Sequence, residues 1–100
     1  MQVNAYNVVR FRIKPGHEQE FLDAHRSVAD EWPGLRHASI VKTGERSYFI
    51  IAEWHDADAL AKARPKMIST LDSFRETLED LGHGLGVTDP MSGPVVVSLK

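Results

Sequence analysis

Residues 3–14 read VNAYNVVRFRIK, which puts Asn7, Val9, Phe11 and Ile13 on one side of an extended chain and Tyr6, Val8, Arg10 and Arg12 on the other. Alternation of this kind marks a strand with one apolar face. Pro15-Gly16 breaks the run. The spacing then changes: Phe21, Leu22, His25, Val28, Ala29 and Trp32 recur at three and four, as on one face of an amphipathic helix. Glu18 and Glu20 fall in its first turn, where the helix dipole favours anions. A strand that hands over to a helix at a Pro-Gly joint leaves few options for the rest of the chain.

Pro33-Gly34 ends the helical pattern, and two β-rich runs come next, LRHASIVK and SYFIIAEW. Thr43-Gly44-Glu45-Arg46 lies between them and predicts a hairpin. After Trp54 the spacing is helical again through ADALAKA, with a break expected near Arg64, because the residue before Pro65 is biased away from helix. Ile68, Leu71, Phe74, Leu78 and Leu81 give a further helical stripe, and Gly82 takes the C-cap position. The loop GHGLGVTDPMSGP leads to a last strand, VVVSLK. The order is β-α-β-β-α-β, with the second helix split at Pro65: an α+β, ferredoxin-like arrangement on a four-stranded antiparallel sheet.

That sheet carries helices on one face. On the other stand Tyr6 and Val8, with Phe49 and Ile51 of the third strand expected to join them. An uncovered apolar face of this size predicts a homodimer packed sheet to sheet. Arg10, Arg12 and Glu53 share the face and are expected to pair at its rim, where such pairs contribute little.

A chain of 100 residues reads as a single domain, 1–100. Its formal net charge of −2 provides no basic field for nucleic acid. No stretch approaches the ~20 apolar residues of a membrane span, and the opening residues lack the apolar segment of a secretion signal. The expected location is cytoplasmic. With no cysteine, disulfides, thiolate metal sites and a cysteine nucleophile are excluded.

Among candidate chemical groups, His55-Asp56 reads as punctuation. Asp56 or Asp58 precedes the first helical residues, where a short carboxylate caps free backbone N–H groups. The histidines at 17, 25, 37, 55 and 83 form no pair with metal-ligand spacing, so no metal site is expected. His25 lies on the apolar stripe between Phe21 and Val28. It is either a half-buried core histidine bonded to a backbone group or, where a pocket opens between helix and sheet, its natural base. Asn7 must find partners for a buried amide, in a neighbouring loop or in a ligand. Tyr48 and Trp54 share the helix-facing side of the third strand, where Tyr48 could donate into a pocket. GHGLG follows a helix rather than a strand, which rejects a dinucleotide site and leaves a loop that could cover a pocket.

With the elements placed, the chain resembles the antibiotic biosynthesis monooxygenase family of the dimeric α+β barrel superfamily. The resembling stretches are VVRFRIKPGHEQEF, WPGLRHASIVK and RSYFIIAEWHDADALAKAR. The resemblance implies a dimer of ferredoxin-like subunits, each with an apolar cavity between sheet and helices. It also implies oxygenation of polycyclic aromatic substrates, in some members, without metal or flavin. A haem-degrading branch of the family is not matched. Its strand-one Asn falls at Val9 here and its helix Trp at Ala63, and its axial His falls near Leu71 or Asp72.

Two readings result. In the first, the chain is a monooxygenase with no cofactor, acting on a small apolar, aromatic, enolisable substrate. His25 accepts the proton, Asn7 or Tyr48 stabilises the developing oxyanion, and Tyr48, Trp54, Phe21 and Phe74 bind the substrate. In the second, the same dimer holds a small ligand without turnover, as a regulator. Both require space between helix and sheet beside Phe21, His25 and Phe74.

Overall fold

The computed structural model describes residues 4–26 and 32–100. β1 (Ala5–Ile13) is the central strand, and its burial alternates as its side chains do: Ala5, Asn7, Phe11 and Ile13 are buried while Tyr6 and Arg10 are exposed. α1 (Glu18–Arg26) follows the Pro-Gly joint and buries Phe21 completely. Val28 and Ala29 of the expected stripe lie outside the described residues. Trp32 is not helical; its ring lies edge-on to Trp54 at 6.3 Å.

β2 (Leu35–Gly44) and β3 (Ser47–Trp54) form the expected hairpin, closed by Glu45 and Arg46. Arg46 has φ 59°, and its guanidinium holds the turn down by donating to the Ile13 carbonyl at 2.9 Å and pairing with Glu79 at 3.2 Å. Gly34 opens β2 with φ +83° and accepts from His55 N–H at 2.7 Å. A Cβ there would stand 2.5 Å from the Ala59 Cβ, so only glycine lets the chain pass the next helix this closely.

That helix, α2 (Ala57–Asp72), is capped by Asp56, whose carboxylate accepts from Ala59 N–H at 2.8 Å. It runs unbroken through Pro65, where a split was expected. Pro65 removes a bond to the Ala61 carbonyl, and both residues are on the exposed side of the helix. Leu60, Ala63, Met67 and Leu71 pack on the core to either side and carry the helix across. Of the further stripe, Ile68 and Leu71 lie within α2, with Ile68 60% exposed, while Phe74, Leu78 and Leu81 are buried as expected but are not helical. α2 stops at Asp72, a 3₁₀ turn spans Arg75–Thr77, and β4 (Leu78–Glu79) pairs with the end of β1. Phe74, Leu78 and Leu81 are 5%, 2% and 7% exposed, so their spacing recorded burial and not helix. Gly82 has φ +82° in the turn after β4 and is not a helix cap.

The last strand is also displaced. β5 (Asp89–Pro94) pairs with Ala5–Arg10, and only Val95 N–H continues the ladder, to the Asn4 carbonyl at 2.8 Å. VVVSLK is not a strand, and Val96 and Leu99 are 91% and 93% exposed. The antiparallel sheet therefore has five strands, in the order β2-β3-β1 with β4 and β5 end to end along the far side of β1, where four were expected. With the two helices this is the α+β, ferredoxin-like fold.

The register places Tyr6, Val8 and Arg10 beside Glu53, Ile51 and Phe49 on the face away from the helices, as expected. The expected pairing among Arg10, Arg12 and Glu53 is absent. Arg10 sits opposite Phe49 and pairs with Asp89 at 3.3 Å, while Glu53 accepts from the Asn4 amide at 2.5 Å. Among the described residues no helix is long and apolar enough to cross a membrane.

Candidate active site between the sheet and the helices

The helix-facing side of the sheet carries two core clusters. Around Phe11, Ile13, Phe21, Tyr48, Phe74 and Leu78 lies the first; Ala5, Ala52, Trp54, Leu60 and Ala63 form the second. The six candidate residues divide between them. Phe21, Phe74, Tyr48 and His25 fall at the first, Asn7 and Trp54 at the second. Phe11 and Asn7 are four residues apart along β1, a span of about 13 Å.

His25 is half-buried, with its ring centroid 4.6 Å from Phe21, 4.3 Å from Phe74 and 6.5 Å from Phe11. Its Nδ1 lies 2.8 Å from the Phe21 carbonyl. A carbonyl only accepts, so Nδ1 carries the hydrogen and the neutral ring presents its lone pair at Nε2. Burial lowers the imidazole pKa, outweighing the opposite effect of that backbone bond. Both expected features of a core histidine are present, and the tautomer they fix is also that of a base. The rings of Phe21, His25 and Phe74 touch one another, with Phe21 and Phe74 5.6 Å apart, so this end of the helix–sheet space is filled by side chains.

Asn7 finds its partner in a side chain, not in a loop. Its Oδ1 accepts from the Trp54 indole N–H at 2.6 Å, with the two residues 8% and 2% exposed. The indole nitrogen only donates, which fixes the amide orientation and leaves the NH₂ end of Asn7 as the group that donates. Lys66 lies over the outer face of this cluster, 4.5 Å from the Trp32 ring.

Tyr48 does not offer its hydroxyl to the space beside His25. It donates to Glu18, which also takes Lys42 at 3.2 Å. The Tyr48 bond, then that of Lys42, hold the Glu18 carboxyl below its usual range, and the same carboxylate pushes the Tyr48 phenol and the Lys42 ammonium up. Glu18 and Lys42 were not singled out by sequence. The signal for them is positional: Lys42 stands opposite Tyr48 in the hairpin register, and Glu18 opens the helix above. The glycine-rich loop closes on itself through Leu81 N–H to the Gly86 carbonyl, and its Val87 packs on the first cluster. No group of three or more potential metal ligands occurs among the described residues.

On the opposite sheet face, a groove of about 260 Å³ is lined by Tyr6, Val8, Met91 and the chain from Ser92 to Val95. Tyr6 and Val41 are 37% exposed and Met91 66%.

Residues 5–65 match the sequence model of the family described as antibiotic biosynthesis monooxygenase. Among solved structures, a variant of SnoaB, a cofactor-independent oxygenase from Streptomyces nogalater, is similar at 19% identity over 96% of each chain, with a TM-score of 0.73. Two proteins described as putative antibiotic biosynthesis monooxygenases share the fold at 10% identity. The one from Nitrosomonas europaea has a TM-score of 0.76 over 96% of this chain and 93% of that one. The other, from Bordetella bronchiseptica, has a TM-score of 0.74 over 96% and 100%. No curated protein sequence matches the chain.

Proposed function

The chain belongs to the antibiotic biosynthesis monooxygenase family, and from that premise we propose that it oxygenates a small, apolar, aromatic substrate bearing an enolisable methylene, without a cofactor, in the space between sheet and helices. The observation that carries the reading is His25: a neutral imidazole among three phenyl rings, its Nδ1–H tied to the Phe21 carbonyl and its lone pair left on Nε2. Nε2 takes a proton from the methylene carbon, and the carbanion left behind is the reductant. Dioxygen delivers one oxygen atom to that carbon, which becomes a carbonyl, and the other leaves as water. The protein supplies a dry site, an orientation and a base, which are ordinary tasks for side chains.

Asn7 serves the far end of the same substrate. Its amide, oriented by Trp54, donates to an oxygen that gains charge on deprotonation. Tyr48 acts by supporting Phe21, with ring centroids 5.4 Å apart. A homodimer through the open sheet face, over Tyr6, Val8, Phe49, Ile51 and Met91, belongs to the same proposal.

The test is oxygen uptake with a panel of hydroxyanthrones, with wild type compared against His25→Gln. Loss of a general base costs about 10²–10⁴-fold, so the variant should fall at least about 100-fold in turnover with its hydroxyanthrone affinity kept. A second reading is a binding or regulatory dimer without turnover, and like the first it requires the rings packed beside His25 to make room for the ligand. Tight binding of a hydroxyanthrone with no oxygen uptake by wild type would establish it instead.

A further inference from the structure

The three rings around His25 are not equally fixed. Phe11 stands on the central strand, which is paired on both sides. Phe21 is 0% exposed on α1, and its own carbonyl holds the imidazole. Phe74 belongs to neither a helix nor a strand: it follows the C-cap of α2 and precedes the 3₁₀ turn, with φ −130°. Its main chain is anchored, because Thr77 N–H and Oγ1–H both donate to its carbonyl, at 2.9 and 2.7 Å. Whatever freedom it has is in the side chain. That side chain is the ring nearest His25, and it meets Phe11 and Phe21 edge to face, at 80° and 84°.

We infer that the Phe74 ring is a displaceable plug, which fills the space an aromatic guest takes beside His25 and so determines what reaches Nε2. The inference deepens the proposed function and rests on the role given there to His25. The place Phe74 vacates is bounded by ring faces and edges, so a flat aromatic ring restores the contacts it loses and a thicker alicyclic ring does not. Specificity for planar substrates then follows from the plug and not from a polar contact. Removing the ring while keeping the backbone opens the same space permanently.

Accessibility of His25 tests this without depending on turnover. Diethyl pyrocarbonate transfers its ethoxycarbonyl group to a neutral imidazole nitrogen, releasing carbon dioxide and ethanol, and peptide mass spectrometry reads each histidine separately. His37, His55 and His83 are exposed and serve as references in the same tube. In wild type His25 should react roughly tenfold or more slowly than the references, at a rate set by local opening. Phe74→Ala should bring it within about threefold of them, with Phe74→Leu between.

A wild-type His25 that reacts like His37 would overturn the plug, and that result needs no variant. So would folded Phe74→Ala and Phe74→Leu proteins in which His25 keeps the wild-type rate. The outcome is separable from the oxygenase reading. If the modification rates keep the expected order and no protein takes up oxygen, the plug stands and the oxygenase reading falls. If His25→Gln abolishes oxygen uptake while Phe74→Ala leaves the modification of His25 slow, the base stands and the plug falls.

Discussion

Replacing Asn7 by leucine, close to it in shape, isolates a single buried hydrogen bond. The Trp54 indole N–H loses the acceptor it has at 2.6 Å, in a place where the indole is 2% exposed and water cannot substitute. Leaving a buried donor unmade costs about 1–3 kcal/mol, and the leucine recovers little because Asn7 was already in contact with its surroundings. A loss of about 2 kcal/mol lowers the unfolding midpoint by roughly 10 °C in a chain of this length. Trp54→Phe alone should also destabilise, by removing ring area and orphaning the Asn7 carbonyl. In the double variant neither partner is left over, so its loss should fall short of the sum of the two by about 1–2 kcal/mol. Urea unfolding of the four proteins, followed by far-UV circular dichroism, measures that coupling. Strict additivity would refute the reasoning, and so would an Asn7→Leu protein as stable as wild type.

Gly34→Ala should cost about 3 kcal/mol, from the left-handed backbone and the 2.5 Å approach to Ala59 together; adding Ala59→Gly should recover the steric share and leave the backbone share, as read by thermal unfolding. For His25, burial lowers the pKa, so the unfolded chain takes up a proton at higher pH than the folded one. Its contribution is therefore complete above about pH 6.5 and declines as pH drops towards the lowered folded value. His25→Gln should remove that decline from a plot of urea midpoint against pH, and an unchanged slope would refute the assignment. Glu18, held low mainly by Tyr48, contributes above its ordinary pKa of 4.5 and loses that contribution as pH falls through the lowered value. Tyr48 and Lys42, both raised by Glu18, contribute up to their ordinary values of 10.0 and 10.5 and lose it as pH rises through the raised ones. Glu18→Gln should thus flatten both the acid and the alkaline limbs of the same plot.

Periodicity made much of the fold legible. The two faces of β1, the hairpin and the Asp56 cap all come from local patterns, because each is decided by residues close in sequence. The misplacements have one cause: a pattern of apolar residues reports which side is buried, and packing elsewhere decides the backbone. Phe74, Leu78 and Leu81 are buried before, within and after β4 because that segment pairs with the end of β1, Leu78 opposite Ile13 and the Thr77 carbonyl accepting from Lys14 N–H. VVVSLK has strong strand propensity, yet β1 is already paired through Pro94. In the candidate site, the half-buried state of His25 and its backbone bond were legible from its place on the helical stripe. The bond from Trp54 to Asn7 and the competition of Glu18 for Tyr48 were not, since each joins residues at least 30 positions apart.

The prolines of β5 bear on how far copies of this chain can aggregate. Pro90 and Pro94 pair with Val9 and Ala5, and a proline in a ladder must turn its nitrogen away from its partner. Positions 90, 92 and 94 share that outward direction, so along this rim only Ser92 retains an amide hydrogen. The rim of β2 on the other side pairs with nothing among the described residues. An incoming strand would therefore find one amide donor along β5, against the unpaired margin along β2. Two ring nitrogens thus leave β5 the poorer margin for strand addition.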